Sequence, residues 1–325
     1  MESDTPSISP HVPPSVEIAF GCDHGYLQPL TVAIVSVLAT SLAPSRIRFW
    51  LITKTLDGTT LAPLRAIIEE NGAQLETRAP LADGNIATMP LGEHFTEATY
   101  YRLMLPRVLP ADVSRLIYLD SDVIVRHPIE HLWSVSLGKF STAAVFNPRA
   151  LNWSEMGLRR EKDYFNAGVL LMDLKRWRWE QIHQRALNFA AGYKGALPCA
   201  DQDALNHVLA GAWKRLDLRW NQQYKFFQHS ARYLHVSWLG LWRARSAPYI
   251  VHYSTNTKPW HSENQHPWRS LYFEQLDRTN YRGWRPPVSP VESGRHDPIN
   301  TLQRHCQERA RALKSLFSRR RRPLR

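Results

Sequence analysis

The chain has 325 residues, is 43% hydrophobic and carries a formal net charge of +12, enough length and apolar content for one large α/β core or two smaller ones. That charge invites a nucleic-acid-binding reading, but nine Lys/Arg against one acid in residues 301–325 supply +8 of it, leaving +4 for the first 300 residues, and no nucleic-acid-binding motif occurs. The three cysteines, Cys22, Cys199 and Cys306, are far apart and without metal-ligand spacing, which excludes a disulfide framework and fits a reducing compartment.

In chain order, residues 1–15 (MESDTPSISPHVPPS) open with acids and are rich in Pro and Ser. A short disordered leader is expected there, not a signal peptide. No apolar run approaches the ~18 residues of a membrane span, so a cytoplasmic protein is expected. Val16-EIAFGC predicts a strand and about Tyr26 to Thr40 a helix. Arg46-IRFWLIT predicts a second strand, Leu61 to Gly72 a helix, and Gln74-LETR a weaker third strand. After a loop from Pro80 to Pro90, Glu97 to Pro106 reads as a helix stopped by its proline. Arg115-LIYLDSDVIV-Arg126 then reads as a fourth strand. Strands alternating with helices argue for a parallel, doubly wound α/β sheet in the first ~130 residues. Beyond it lie apolar runs at Phe140-STAAVF and Phe165-NAGVLLMD, one helix from Lys175 to Ala191, and a shorter one from Asp201 to Gly211. Residues 213–290, rich in Trp and Pro, are expected to be loops with short strands packed on the sheet.

The fourth strand poses the functional question, because Asp120 and Asp122 interrupt an apolar run. Ligands of open α/β sheets bind outside the carboxyl ends of the strands, and Asp120 stands where the apolar run stops. Alternation along an extended segment puts Asp120 and Asp122 on one side and Ser121 on the other. Two like charges so close are costly without a cation. Oxygen ligands suit Mg²⁺ or Mn²⁺, ions that bridge carboxylates to phosphates. An EF-hand is excluded, since no third ligand or glycine follows at its spacing. Pro248-YIVHYSTNTKPW offers a further ligand: His252 ends an apolar strand, and an imidazole favours Mn²⁺ over Mg²⁺. Lys258, six residues on, is placed to reach the same phosphates.

Five segments in order, Ile18-AFGCDHGY, Thr99-YYRLMLP, Leu116-IYLDSDVIV, Tyr164-FNAGVLLMDLKRW with Cys199-ADQDALN, and His252-YSTNTKPW, resemble glycosyltransferase family 8, retaining nucleotide-sugar transferases. The resemblance runs from residue 16 to about residue 280. It implies a single Rossmann-like, GT-A type domain with a mixed, mainly parallel sheet over 16–290, and a UDP-sugar donor, UDP-galactose or UDP-glucose. It implies a saccharide or glycolipid acceptor, such as lipopolysaccharide core or another cell-surface glycan. Carried over residue by residue, Asp23 and Tyr26 hold and stack on uracil, and Arg102 contacts the donor. Asp120, Asp122 and His252 hold Mn²⁺, with Mg²⁺ the alternative, and Asp122 and neighbouring Ser121 lie by the nucleotide. Asn166 and Ala167 face the donor sugar, Asp201 and Gln202 stand beside the anomeric carbon, and Lys258 clamps the diphosphate. Thr255 departs from the family, which usually has glycine there; its hydroxyl is placed to donate to phosphate instead. Gly21 and Cys22 replace other small residues.

Retention needs either a carboxylate nucleophile or attack from the leaving-group face. Gln202 is a neutral amide, so same-face transfer is the expectation. Two other readings of the carboxylate pair stay open on sequence: a metal-dependent nucleotidyltransferase or phosphohydrolase, and a non-catalytic binder of nucleotide sugar or nucleic acid. In residues 291–325, apolar positions recur at Leu302, Cys306, Ala310, Leu313 and Phe317, followed by the block Arg319 to Arg322. That pattern predicts a basic amphipathic helix attracted to an anionic membrane surface, and so a peripheral protein on the inner face of the membrane.

Overall fold

The computed structural model describes residues 15–81, 96–148, 150, 152–195 and 197–287. The expected leader, except Ser15, most of the loop from Pro80 to Pro90 and all of the basic tail at 291–325 lie outside them. Four parallel strands, β1 (Val16–Gly21), β2 (Ile47–Ile52), β3 (Gln74–Arg78) and β4 (Arg115–Leu119), lie in the order β3-β2-β1-β4. β1 and β2 read as nearly continuous apolar runs because helices cover both faces of a parallel sheet. Leu27–Thr40 follows β1 and Gly58–Glu70 follows β2, the second capped by Asp57 accepting from Thr60 N at 2.7 Å. Gly72 supplies the positive φ of +72° that ends this unit.

The 115–126 run is two strands, not the one expected. The main chain leaves the large sheet at Asp120, whose N–H still donates to Gly168 O at 2.8 Å. Val123–Val125 (β5) then joins a separate sheet of three strands. Two carboxylates cannot enter a dry sheet unpaired, so the strand breaks where they stand. In the seven-stranded sheet, β7 (Phe165–Asp173) runs antiparallel to β4 and to β6 (Thr142–Phe146), and β8 (Lys214–Arg215) closes the edge. The sheet is therefore mixed and mainly parallel. In the small sheet, β10 (Ile250–His252) lies between β5, antiparallel, and β9 (Gln222–Gln223), parallel.

Three further expectations are corrected. Pro106 does not stop its helix: a 3₁₀ turn at Glu97–Tyr100 leads into Tyr101–Val108, with Pro106 inside. Proline removes only one donor, and its fixed φ is itself helical, so near the last turn the chain carries on. The helix expected over 175–191 is two, Leu174–Trp179 and Ile182–Gly192, parted at Gln181 with φ +52°. Residues 213–290 hold more helix than expected, at Lys225–Gln228, Trp238–Ser246 and Arg269–Leu276.

Candidate active site

Three strand ends meet at the C-terminal edge of the parallel strands. Asp120 leaves β4, Asp122 enters β5, and His252 ends β10, whose pairing with β5 sets His252 opposite Val123. One ligand atom from each of the three lies within 4.8 Å of the others. His252 Nε2 is 3.3 Å from Asp122 Oδ1 and 3.7 Å from Asp120 Oδ2. Its other nitrogen, Nδ1, lies 3.0 Å from Asn221 Oδ1, while Asn221 Nδ2 donates to Asn166 Oδ1 at 2.8 Å. An amide oxygen only accepts, so Nδ1 carries a proton, and Nε2 is the nitrogen that faces the two carboxylates. Three candidate ligand atoms converging in a largely buried place fit a divalent cation, and the carboxylate–imidazole set suits Mn²⁺.

Glycine is required beside this cluster. A Cβ on Gly168 would fall 2.2 Å from His252 Cε1 and 2.5 Å from Asp120 Oδ2. The site thus depends on β7 approaching with no side chain at that position.

Two side-chain cations already balance the aspartates. Arg102, on Tyr101–Val108, sets one guanidinium nitrogen 2.9 Å from Asp120 Oδ1 and Nε 2.7 Å from Asp201 Oδ2. It also donates to Ala167 O at 2.6 Å and packs over the Tyr118 ring at 4.6 Å. Lys258 Nζ donates to Asp122 Oδ2 at 2.6 Å and to Tyr253 O at 2.9 Å. The like-charge cost that the sequence assigned to a missing ion is therefore met in part by Arg102 and Lys258. Burial alone would raise the Asp122 pKa, but Lys258 and His252 together hold it well below the usual carboxylate range.

Asp201 and Gln202 open the helix Ala200–Leu209. Ala200 is left-handed at φ +45°, a strained turn that aims Asp201 at Arg102. Asn206 clips this helix to β7, accepting from Phe165 N at 2.8 Å and donating to Phe165 O at 2.9 Å. Gln202 Oε1 accepts from Ala167 N at 2.9 Å, and its Nε2 donates to Tyr164 Oη at 3.1 Å. Tyr164 in turn donates to Asp203, which also accepts from Cys199 N at 2.7 Å. Gln202 is thus fixed at both ends.

Burial pushes the Asp201 carboxyl up to about 7, against the pull of Arg102. An unfolded Asp ionises near pH 3.9, so the unfolded chain releases its proton first as pH rises. The sign follows: this group removes stability between about pH 4 and about pH 7. Asp201→Asn is expected to flatten that part of the profile, read as urea midpoints at about pH 4.5 and about pH 7.5; an unaltered slope would place the titration elsewhere.

The remaining sequence candidates are on the same edge. Asp23 and Tyr26 occupy the turn after β1, where Asp23 Oδ2 accepts from Thr96 Oγ1 at 2.7 Å and Tyr26 meets the Trp260 ring edge-on at 5.7 Å. Burial, then the charges of Asp122 and Asp120, push the Tyr26 hydroxyl up, so this turn faces the carboxylate pair. Ser121 points away and is buried beside Cys22. Thr255 Oγ1 donates to Thr257 O at 2.9 Å, so its hydroxyl is engaged within its own loop. Asn221, Gly168 and Tyr118 were not candidates. Gly168 stands in the FNAG motif, whereas Asn221, in Leu218-RWNQQ, carries no sequence signal.

Among solved structures, galactosyltransferase LgtC with donor and acceptor sugar analogs superposes with a TM-score of 0.70 at 25% identity, over 85% of this chain and 98% of that one. The architecture is the GT-A fold of glycosyltransferases. Glycosyl transferase family 8 matches residues 17–264, and the chain belongs to that family. It is 32% identical over 193 residues to general stress protein A of Bacillus subtilis, covering 58% of this chain and 68% of that protein. It is 27% identical over 286 residues to lipopolysaccharide 1,3-galactosyltransferase of Salmonella typhimurium, covering 85% and 82%. Lipopolysaccharide 1,2-glucosyltransferase of Escherichia coli is 24% identical over 277 residues, covering 83% and 80%. Among the described residues, no helix is long and apolar enough to cross a membrane.

Proposed function

We propose that the protein is a retaining hexosyltransferase that moves galactose or glucose from its UDP derivative to a saccharide acceptor of lipopolysaccharide core or a related cell-surface glycan. The observation that supports this most is the convergence of Asp120, Asp122 and Nε2 of His252 at a strand edge, with Lys258 beside them. Mn²⁺ held by these three, with Mg²⁺ as the alternative, would supply charge neutralisation to the departing diphosphate.

The chain's own groups then divide the work. Tyr26 presents an aromatic face to the uracil and Asp23 an acceptor. Lys258 reaches the diphosphate from its place on Asp122, and the Thr255 loop lies along the phosphates. Asp122 and the main chain of Ser121 border the ribose, and Asn166 and Ala167 the hexose. Arg102 orients Asp120 and Asp201. The carboxylate nearest the anomeric carbon, Asp201, is 2% exposed and ion-paired to Arg102, which disfavours it as a nucleophile. Same-face attack is the better account: a β-phosphate oxygen takes the proton of the acceptor hydroxyl, while the Gln202 amide steadies the positive charge on the sugar. A screen of UDP-sugars for metal-dependent hydrolysis and transfer tests the reading, and no turnover with any hexose donor would overturn it.

Asn221 engages Nδ1 of His252 and so fixes Nε2 as the nitrogen turned to the carboxylates. Asn221→Ala is expected to weaken Mn²⁺ binding about 10–100-fold, whereas Asn221→Asp, which keeps an acceptor, retains more. Titration calorimetry checks this, and equal affinities would remove Asn221 from the site. The basic tail at 291–325, outside the described residues, is proposed to hold the enzyme on the inner membrane surface, near a lipid-linked acceptor.

A further inference from the structure

The helix Trp238–Ser246 buries Leu241 and Ala244 but turns two large apolar side chains outward at its start. Trp238 is 72% and Leu239 45% exposed, and Trp242 stacks on Trp238 with rings 6.4 Å apart and 13° from parallel. A tryptophan as open as Trp238 is unusual on a monomer surface, and a cluster of such residues marks a contact surface. The helix is nevertheless firmly built. Ser237 caps it by accepting from Gly240 N at 3.0 Å, and Arg245 ties it down by donating to Phe226 O at 2.7 Å and His229 O at 2.6 Å. Tyr233, 48% exposed and five residues earlier, lines a cleft of about 340 Å³ with Phe146, Lys162 and His235. Phe146 pairs in β6 with Phe165, which precedes Asn166, so one wall of the cleft lies a strand position from a candidate-site residue.

Cations prevail around the helix: residues 225–246 contain four Lys/Arg and no Asp or Glu, while Arg219 and Lys258, just outside them, are paired with Asp217 and Asp122. Exposed Trp and Leu flanked by cations are the composition of an element that sits at the boundary between headgroups and acyl chains of an anionic bilayer. We propose that Trp238, Leu239 and Trp242 form an interfacial anchor that seats the protein on an anionic lipid surface, with the cleft opening beside it. Charge complementarity selects this occupant over a protein partner. One chain or charge cluster alone gives only marginal, reversible attachment, so stable seating takes two signals; the helix is one and the basic tail the other. The inference rests on the glycolipid-acceptor reading for its purpose only, since its test involves no transfer.

The test uses full-length protein with vesicles of phosphatidylglycerol and phosphatidylethanolamine, and with phosphatidylcholine alone. Wild type is expected to partition onto the anionic vesicles, with tryptophan quenching by brominated acyl chains. W238S/L239S is expected to lower that partition about tenfold and to lose the added quenching. Its melting temperature and its hydrolysis of soluble donor should stay unchanged. The same loss is expected in a background carrying R319Q/R320Q/R321Q/R322Q, which separates the helix from the tail. Equal partition of the variant and its parent in both backgrounds overturns the proposal. So does equal wild-type binding to phosphatidylcholine, or loss of duplex-DNA binding in W238S/L239S with vesicle binding intact.

Discussion

Alanine at Asp120 or at Asp122 is expected to cut sugar transfer by at least about a thousandfold, several kcal/mol of lost transition-state stabilisation. Each change removes one of three converging ligand atoms, and each also disturbs a different cation. Asp122→Ala leaves Lys258 Nζ with only Tyr253 O at 2.9 Å, so the amine that should meet the diphosphate is no longer aimed. Asp120→Ala frees one arm of Arg102 but leaves its contact with Asp201 at 2.7 Å. Calorimetric loss of Mn²⁺ uptake should therefore accompany both, while the loss of UDP affinity should be larger for Asp122→Ala. The carboxyl of Asp122 is depressed in the folded chain, so its contribution to stability is present above the ordinary Asp pKa and fades as pH falls through the folded one. Asp122→Ala should accordingly lose stability at neutral pH and respond less to acid. Gln202→Ala makes a useful contrast: a neutral amide steadying charge leaves a measurable remnant of turnover when removed. Full-rate transfer by Asp120→Ala, or by Gln202→Ala, would show that the respective role is misassigned.

Much of this geometry was legible in the sequence for a physical reason. Strands buried on both faces need unbroken apolar runs, so Val16–Gly21 and Ile47–Ile52 stand out, and a carboxylate ending such a run stands out equally. His252 was readable by the same logic, at the end of Ile250–His252. What sequence could not supply is partnership across the fold. Asn221 reaches His252 over 31 residues, and Lys258 reaches Asp122 over 136. Periodicity carries no information about either. Local breaks were also hidden. Gln181 at φ +52° divides a run whose composition favours one helix, a case of tertiary packing overriding propensity. In residues 213–290 the density of Trp and Pro masked three helices, one of which hides its pattern by exposing its tryptophans. The two-cation compensation at Asp120 and Asp122 was likewise invisible. Arg102 looks from sequence like a surface helical residue, yet it is 7% exposed.

That burial makes Arg102→Ala the second large expected effect, on the fold before the chemistry. The guanidinium lies between Asp120 at 2.9 Å and Asp201 at 2.7 Å, with a carbonyl and an aromatic ring completing its surroundings. Burial opposes its charge, but the two carboxylates outweigh burial and keep it protonated. Removing it leaves the buried Asp201 and the partly exposed Asp120 without their counter-charge, a loss of up to about 3–5 kcal/mol where both are ionised, against a total stability of order 5–15 kcal/mol. Arg102→Lys should recover little, because a single ammonium cannot reproduce the planar fork that spans both acids. Arg102→Met combined with Asp201→Asn should recover more, since it deletes one of the stranded charges. That ordering separates a buried electrostatic keystone from a simple packing residue, which lysine or methionine alone would replace about equally. Urea midpoints of the three variants give the answer directly. A cost below about 1 kcal/mol for Arg102→Ala would mean that water or a shifted pKa has absorbed the charge.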